Sequence, residues 1–234
     1  MNILAFDTCF GACSAAVGRD CGTTDQRVFH RFEAMDLGQA ERLLPMIGEV
    51  LSLSGLALAD IDLIGVTVGP GTFTGTRIGI AAAKGLALAA GIRLVGLSSL
   101  AVMARQAALM APHERDICVT VDVRRSEVYT QLFDNSGLIA KTEPALMTLE
   151  QTRRLSQFAS ITYVGSGANL VVTGLSAEPD GELLRMALLP GLLPDAHFAI
   201  DLVSQKRRND RAFSPIYLRA PDAKPPAPNM IQRH

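Results

Sequence analysis

A glycine-rich stretch at residues 69–79 decides the fold, and it reads Gly-Pro-Gly-Thr-Phe-Thr-Gly-Thr-Arg-Ile-Gly. It follows an apolar run at residues 63–68 that predicts a buried strand. A run of small apolar residues from Ile78 to Ala90 comes next and predicts a helix. The stretch is therefore a turn from a strand into a helix, where backbone N–H groups can gather around an anion.

Neither common phosphate-binding pattern fits this turn. A P-loop requires Gly-Lys followed by Ser or Thr, and the first lysine of the chain is Lys84. A dinucleotide fingerprint requires Gly-x-Gly-x-x-Gly, and its third glycine position holds Thr74. We expect the glycines to serve tight turning and close packing, with phosphate binding as the alternative.

An internal repeat points to the architecture. An apolar strand ends at Asp7 and is followed by a turn and a second strand, and the same pattern returns around Asp122. Two strand–Asp–turn–strand units half a chain apart predict hairpins of a duplicated α/β fold. We expect an N-terminal lobe at 1–113, a smaller lobe at 114–220 and a proline-rich, disordered tail at 221–234.

Composition bounds the partners and the compartment. Of 234 residues, 48% are hydrophobic and 19% charged, which supports a real core, and the net charge is −1. No basic field is available to hold a nucleic acid by its phosphates, so any contact with RNA is expected to be indirect. The four cysteines lack metal or Cys-x-x-Cys spacing and predict buried free thiols. With no signal-peptide or transmembrane pattern, we expect a cytoplasmic protein without membrane contact.

The stretch at 69–79 resembles the signature of the TsaB family, also called YeaZ. Residues 3–16, 122–129 and 215–219 are similar to the first hairpin, the second hairpin and the C-terminal strand of that family. TsaB proteins are bacterial accessory subunits of the machinery that makes threonylcarbamoyladenosine in tRNA. The resemblance implies an α/β, two-lobed fold of the actin, Hsp70 and sugar-kinase kind (ribonuclease H-like), duplicated, with mixed sheets and a reduced second lobe.

A nucleotide cleft is the functional interpretation of the repeat. In the actin-like fold, aspartates at these strand ends face Mg²⁺ and phosphates, and a later glycine loop holds adenosine. The candidates here are Asp7, Ser14, Asp122, Gly165 and Gly167. The alternative is a weak or relic site that requires no cofactor but leaves residual ATP or ADP binding open. Asp7 can bond within its own turn, Asp122 can pair with Arg124 or Arg125, and Phe10 would crowd a phosphate.

Metal and nucleophile chemistry lack their sequence patterns. No two of the four histidines lie within one helical turn, and neither His-Glu-x-x-His nor Gly-x-Ser-x-Gly occurs. The histidine that many TsaB proteins carry just before the position of Gln39 is also missing. We therefore predict no metal site and no catalytic residues.

Two helices predict a docking surface. The first is expected at 37–53 with Asp36 as N-cap and Gln39 in a capping box, starting late near Glu41 or kinking because of Pro45. The second, at 76–90, is apolar on almost every side. The predicted interface residues are Leu43, Met46, Ile47, Val50, Gly75, Ile78, Gly79, Ala82, Ala83 and Leu86. The alternative is that this chain buries both helices by itself.

The resemblance agrees with docking. TsaB proteins are catalytically inert paralogues of the TsaD-like transferase subunit and pair with it through these helices, here 41–53 and 76–90. They self-pair when that partner is absent, and a TsaE-like ATPase subunit completes the complex. The rival hypothesis is an active ATP- or metal-dependent enzyme of the actin-like fold, a kinase or an M22-type peptidase.

Overall fold

Two five-stranded mixed sheets of the same topology form the framework. The computed structural model describes residues 1–155, 160–173, 185–205 and 213–219. The first sheet contains β1 (Ile3–Asp7), β2 (Ala12–Arg19), β3 (Arg27–Ala34), β4 (Leu63–Thr67) and β5 (Arg93–Leu97). The second contains β6 (Asp116–Asp122), β7 (Glu127–Phe133), β8 (Ala145–Thr148), β9 (Ile161–Val164) and β10 (Arg185–Leu188).

Strand order confirms the duplication. The first sheet runs β3-β2-β1-β4-β5 and the second β8-β7-β6-β9-β10, so each pairs a hairpin with two parallel strands. The predicted two-lobed actin-like fold with mixed sheets is therefore confirmed. Three strands of the second sheet, β8, β9 and β10, span 4 residues each, which fits a reduced second lobe.

Six α-helices are present in the described part of the chain, besides a short 3-10 helix at Leu58–Asp60. They are α1 (Gln39–Ser54), α2 (Phe73–Ala90), α3 (Ser99–Met110), α4 (Leu149–Arg154), α5 (Ala168–Thr173) and α6 (Ala196–Gln205). None of these helices is long and apolar enough to cross a membrane. The predicted tail at 221–234 lies outside the described residues.

The helix α6 returns from the second half of the chain to the first sheet. Its buried residues Ala199, Ile200 and Val203 pack in one core cluster with Ile3 and Ala5 of β1. The strands divide between the sheets on either side of residue 113, whereas α6 joins the two halves. The lobe boundaries at 113 and 220 stay predictions.

Helix α1 begins differently from the prediction. Its N-cap is Gly38 at a φ of 96°, without a capping side chain, so Asp36 as N-cap and the capping box are wrong. Gln39 starts the helix, and its amide donates back to the Met35 carbonyl at 3.1 Å. The helix runs through Pro45, which has no N–H and therefore leaves one carbonyl of the preceding turn unpaired. Pro45 lies on the exposed side of the helix, so water can reach that carbonyl.

Helix α2 begins three residues earlier than predicted. Thr72 caps it by accepting a hydrogen bond from the Gly75 N–H at 3.1 Å, and Gly91 ends it in the left-handed conformation as expected. The side chains of α1 and α2 that face the first sheet share one core cluster with Leu4 and Phe6. Each fully buried large apolar side chain of this kind contributes roughly 1.5–3 kcal/mol.

Candidate functional site

The glycine-rich turn packs on the first hairpin. A Cβ on Gly75 would lie 2.0 Å from the Thr8 carbonyl oxygen, and one on Gly71 would lie 2.5 Å from that of Cys9. The Thr72 N–H donates to the Cys9 carbonyl at 2.7 Å, and the Thr8 hydroxyl donates to the Gly75 carbonyl at 2.7 Å. The expected role of these glycines in close packing is thus confirmed, because no side chain fits there.

Asp7 is buried at the end of β1 and is 1% exposed. The Thr67 hydroxyl donates a very short hydrogen bond to one carboxyl oxygen, and the Cys9 N–H donates to the other at 3.3 Å. Burial raises the pKa of Asp7 to about 7, although these hydrogen bonds lower it. The bond to Cys9 is the hydrogen bond within its own turn that was predicted for Asp7.

Ser14 lies opposite Asp7 across the β1–β2 ladder and is fully buried. Its hydroxyl accepts from the Ala196 N–H at 3.0 Å and donates to the Pro194 carbonyl at 3.4 Å. Both groups lie at the start of α6. The side chain therefore holds α6 against the first sheet, which explains its burial without a ligand.

Phe10 lies in the turn of the first hairpin and is 9% exposed. Its ring belongs to the core cluster of Leu100, Met103 and Tyr129, which covers the second sheet. The hairpin tip thus inserts an aromatic side chain between the two lobes. An apolar ring stands where a phosphate-binding hairpin would offer open backbone.

Asp122 ends β6 on the surface. Its carboxylate accepts from the Arg124 N–H at 2.8 Å, and its own N–H donates to the Ser166 hydroxyl at 3.0 Å. The group of Arg124 that pairs with Asp122 is therefore the backbone N–H of Arg124. A Cβ on Gly165 would lie 2.6 Å from the Thr120 carbonyl oxygen, so this loop also packs closely on β6.

A cavity of about 390 Å³ opens between the lobes. Of the five residues predicted for a nucleotide cleft, Asp122 lines it, while Asp7, Ser14, Gly165 and Gly167 do not. Its walls include aromatic and basic side chains. These are Phe10, Phe73, Tyr129, Tyr217, Arg124 and Arg219. The predicted cleft residues therefore form two groups, Asp7 with Ser14 on the first hairpin and Asp122 beside the loop of Gly165 and Gly167, and Phe10 closes part of the space between the lobes.

The predicted interface residues are mostly core residues, which corrects their assignment to a free surface. Seven of the ten are buried within this chain, because they form the side of each helix that faces the sheet. These seven are Leu43, Met46, Ile47, Val50, Gly75, Gly79 and Ala83. Ile78, Ala82 and Leu86 are half-buried against the same cluster.

The outward sides of α1 and α2 carry a different apolar set. Leu88 on α2 is 89% exposed, and Leu44 and Leu53 on α1 are 56% and 46% exposed. Gly48 and Gly85 lie in the middle of these helices on their exposed sides, and a Cβ on either would meet nothing within 4 Å. Neither glycine is required by packing inside this chain. We call the outward sides of α1 and α2 the outer helix face.

Comparison with known proteins identifies the family. The tRNA threonylcarbamoyladenosine biosynthesis protein TsaB of Escherichia coli (strain K12) is 34% identical over 230 residues, which is 94% of this chain and 95% of the relative. The chain belongs to the TsaB family. The TsaB of Haemophilus influenzae is 37% identical over 129 residues, which is 55% of this chain and 52% of the relative. The family model of TsaD, the tRNA N6-adenosine threonylcarbamoyltransferase, matches residues 38–166.

Two solved structures from Pseudomonas aeruginosa share the TsaB-family fold. One is described as an uncharacterized protein with similarity to peptidase YEAZ, with a TM-score of 0.74 at 28% identity over 93% of this chain and 99% of its own. The other, YeaZ, has a TM-score of 0.69 at 28% identity over 86% of this chain and 90% of its own.

The sequence of this TsaB-family chain did not predict several side-chain contacts near the inter-lobe cavity. Phe73 stacks on Tyr217 at 5.8 Å between ring centroids, and the Arg77 guanidinium lies 3.5 Å above the Phe73 ring. Arg219 donates to the Val123 carbonyl at 3.0 Å and forms an ion pair with Glu127. These contacts join segments far apart in sequence. The family resemblance at residues 69–79, 122–129 and 215–219 included these residues, but it did not indicate that they contact one another.

All four cysteines are free and buried, as predicted. Burial raises the pKa of Cys13 and of Cys118 to about 12 and moves that of Cys9 further in the same direction. These thiols are therefore protonated at neutral pH and act as small apolar core groups. Within the described residues, no three His, Cys, Asp or Glu side chains are grouped so that they could hold a metal ion.

Proposed function

We propose that this chain is a non-catalytic subunit of the machinery that forms threonylcarbamoyladenosine in tRNA, where it scaffolds and activates the TsaD-like transferase subunit. Its outer helix face docks on the transferase. A TsaE-like ATPase subunit completes the complex, and tRNA is reached through these partners. The chain acts in the cytoplasm and requires no cofactor. The biosynthetic role follows from the family, and the docking role from the surface described next.

The outer helix face is the observation that carries the docking proposal. α1 and α2 pack side by side on one core cluster, so their outward sides form one continuous surface. Exposed leucines on both helices provide apolar area that a partner can bury. A glycine costs a helix interior about 1 kcal/mol relative to alanine. Gly48 and Gly85 are at such positions with open space outside them, which suits a second helix pair approaching closely.

The buried state of Asp7 and Ser14 supports the non-catalytic part of the proposal. Both side chains are committed to hydrogen bonds within this chain, and Phe10 closes part of the space between the lobes. A nucleotide phosphate with Mg²⁺ would have to displace the Phe10 ring and keep ionised a buried carboxyl whose pKa is raised to about 7. Any residual ATP or ADP binding is proposed to be weak and without turnover.

Leu88→Glu tests the docking surface. Because the Leu88 side chain touches little of its own chain, a carboxylate there is expected to leave the melting temperature within a few degrees of wild type. Placed in a buried seam, the same carboxylate should remove several kcal/mol of association. We expect the variant to lose co-purification with the transferase subunit. It should also lose self-association in sedimentation at protein concentrations of roughly tens of micromolar, which is the order of dissociation constants for weak dimers.

The matched control is Leu109→Glu on α3, where the leucine is 48% exposed on a helix that packs against α6 and the second sheet. This variant should keep both the transferase subunit and the self-dimer. Retention of the partner by Leu88→Glu, or equal loss by both variants, would place the interface elsewhere.

A further inference from the structure

A short segment near the end of the described chain passes from one lobe to the other. Residues 213–219 lie outside the helices and strands. Phe213 and Ile216 pack against the core cluster of the first sheet, whereas Leu218 packs against the cluster that covers the second sheet. We call residues 213–219 the strap, and its two ends are anchored by different kinds of contact.

The first-lobe end of the strap is anchored by its backbone. The Ile216 N–H donates to the Val68 carbonyl at 2.7 Å. A Cβ on Gly69 would lie 2.8 Å from the Ile216 carbonyl oxygen, so the strap packs backbone to backbone on the turn that follows β4. Opening this end would break a backbone hydrogen bond and expose apolar side chains of the first core cluster, so we expect it to stay attached.

The second-lobe end of the strap is anchored by side chains. The Arg219 guanidinium donates to the Val123 carbonyl at 3.0 Å and forms an ion pair with Glu127. Val123 and Glu127 lie on either side of the turn of the second hairpin, where their backbones pair, so Arg219 holds both sides of that turn. The Arg219 and Glu127 side chains are 23% and 32% exposed, so water and salt reach the pair and weaken it.

The strap is also part of the wall of the inter-lobe cavity. Residues 216–219 line that cavity together with residues 71–73 of the glycine-rich turn and residues 122–124 of the second hairpin. If Arg219 and Leu218 leave the second hairpin while Ile216 stays attached, the cavity widens at this wall. The weaker anchor of the strap is therefore the one that controls access to the cavity.

We propose that the strap is a latch on the inter-lobe cavity and that Arg219 holds this latch closed. In the closed state, which the structure shows, Arg219 binds the second hairpin. In the open state Arg219 and Leu218 leave the hairpin, the backbone anchor at Ile216 holds, and small molecules enter the cavity from solvent. High salt favours the open state, because it screens the ion pair. The latch operates in the chain alone, so the proposal stands independently of the docking role.

Thiol labelling of a Val123→Cys variant of the full chain with iodoacetamide, a neutral reagent, tests the latch. Val123 is half-buried and lines the cavity, and all four native cysteines are buried, so the new thiol reports access to the cavity. Adding Arg219→Gln should raise the labelling rate roughly fivefold, as expected for loss of a partly exposed ion pair. Raising NaCl from about 0.02 to 0.5 M should speed labelling about twofold with Arg219 present and leave the Arg219→Gln variant unchanged.

Two controls separate opening of the latch from general loosening of the fold. Labelling of native Cys118, which is fully buried in the second sheet, is followed by mass in the same samples and should not change. Lys141→Gln removes a partly exposed ion pair with Asp116 at the opposite end of β6, and it should leave labelling at position 123 slow. Equal labelling rates with and without Arg219→Gln, parallel acceleration at Cys118, or the same acceleration by Lys141→Gln would overturn the proposal.

Discussion

At the scale of single residues, Asp7 is the most informative side chain. Its folded-state pKa of about 7 lies above the ordinary value of 3.8, because burial disfavours the carboxylate. The folded chain therefore holds a proton on Asp7 between pH 4 and 7 that the unfolded chain has released. This group lowers the stability of the fold as pH rises through that window, and the full penalty is present above pH 7.

Asp7→Asn is accordingly expected to stabilise the chain at high pH. In the structure the Thr67 hydroxyl donates to Asp7; an asparagine with its nitrogen toward Thr67 would instead donate to that hydroxyl, while its oxygen accepts from the Cys9 N–H. We expect the variant to gain about 2 kcal/mol more relative to wild type at pH 8 than at pH 5. Urea unfolding at the two pH values measures this difference. An equal loss of stability at both values would mean that the carboxylate is required by the fold.

Ala83→Glu separates the core side of α2 from its outer side. Ala83 is fully buried against the first sheet, so a carboxylate there is expected to cost at least 3 kcal/mol, or to prevent folding. Ala81 lies two residues earlier on the exposed side of the same helix. Ala81→Glu should melt like wild type and lose the transferase subunit. Thermal melting and co-purification of both variants decide, and a normal melt of Ala83→Glu would contradict the packing described here.

At the scale of elements, the two exposed helical glycines give a test with opposite signs. Gly48→Ala and Gly85→Ala meet no neighbour, and each should raise the free energy of unfolding by about 0.5–1 kcal/mol. If a partner helix approaches closely at these positions, each added methyl group should weaken association. Melts and partner affinity are measured on the same samples. Variants that are stabilised and still bind like wild type would exclude close helix approach.

The sequence predicted where strands and helices occur better than it predicted which side of each helix is buried. Both hairpins, β4, α2 and the glycine-rich turn were predictable because strand period, apolar runs and glycine placement are local signals. The start of α1 was not, since Gly38 caps it by a left-handed backbone conformation that resembles any loop glycine. Helix periodicity also could not choose a side of α2, because small apolar residues surround that helix.

The spacing of small residues on α2 misled the interface prediction for a physical reason. Gly75 and Gly79 let α2 pack closely on the first hairpin and on β4 of the same chain. A Cβ on Gly79, for example, would lie 2.9 Å from the hydroxyl of Thr8 in the first hairpin. Small residues spaced by four occur both where a helix packs closely inside its own chain and where it packs closely on another chain. Gly85 lies four residues after Ala81, and both are on the exposed side of α2. The fold was needed to distinguish these exposed small residues from the buried ones.

At the scale of the whole molecule, packing holds the two lobes together. Phe10 joins the first hairpin to the core of the second lobe, and α6 returns from the second half to the first sheet. The repeat in the sequence revealed the duplication, since each hairpin is continuous. It could not reveal that Ser14 is buried, because Pro194 and Ala196, which bond to its hydroxyl, lie 180 and 182 positions away.

The central claim is that this chain activates a partner without contributing chemistry, and reconstituted threonylcarbamoyl transfer to tRNA tests it most directly. Product is measured with the transferase and ATPase subunits plus no further chain, wild type, Leu88→Glu or Asp7→Asn. We predict product with wild type and with Asp7→Asn at rates within about twofold, which is under 0.5 kcal/mol, and little product otherwise. Loss of product with Asp7→Asn in a complex that still assembles would contradict the claim, because the chain would then supply a catalytic group.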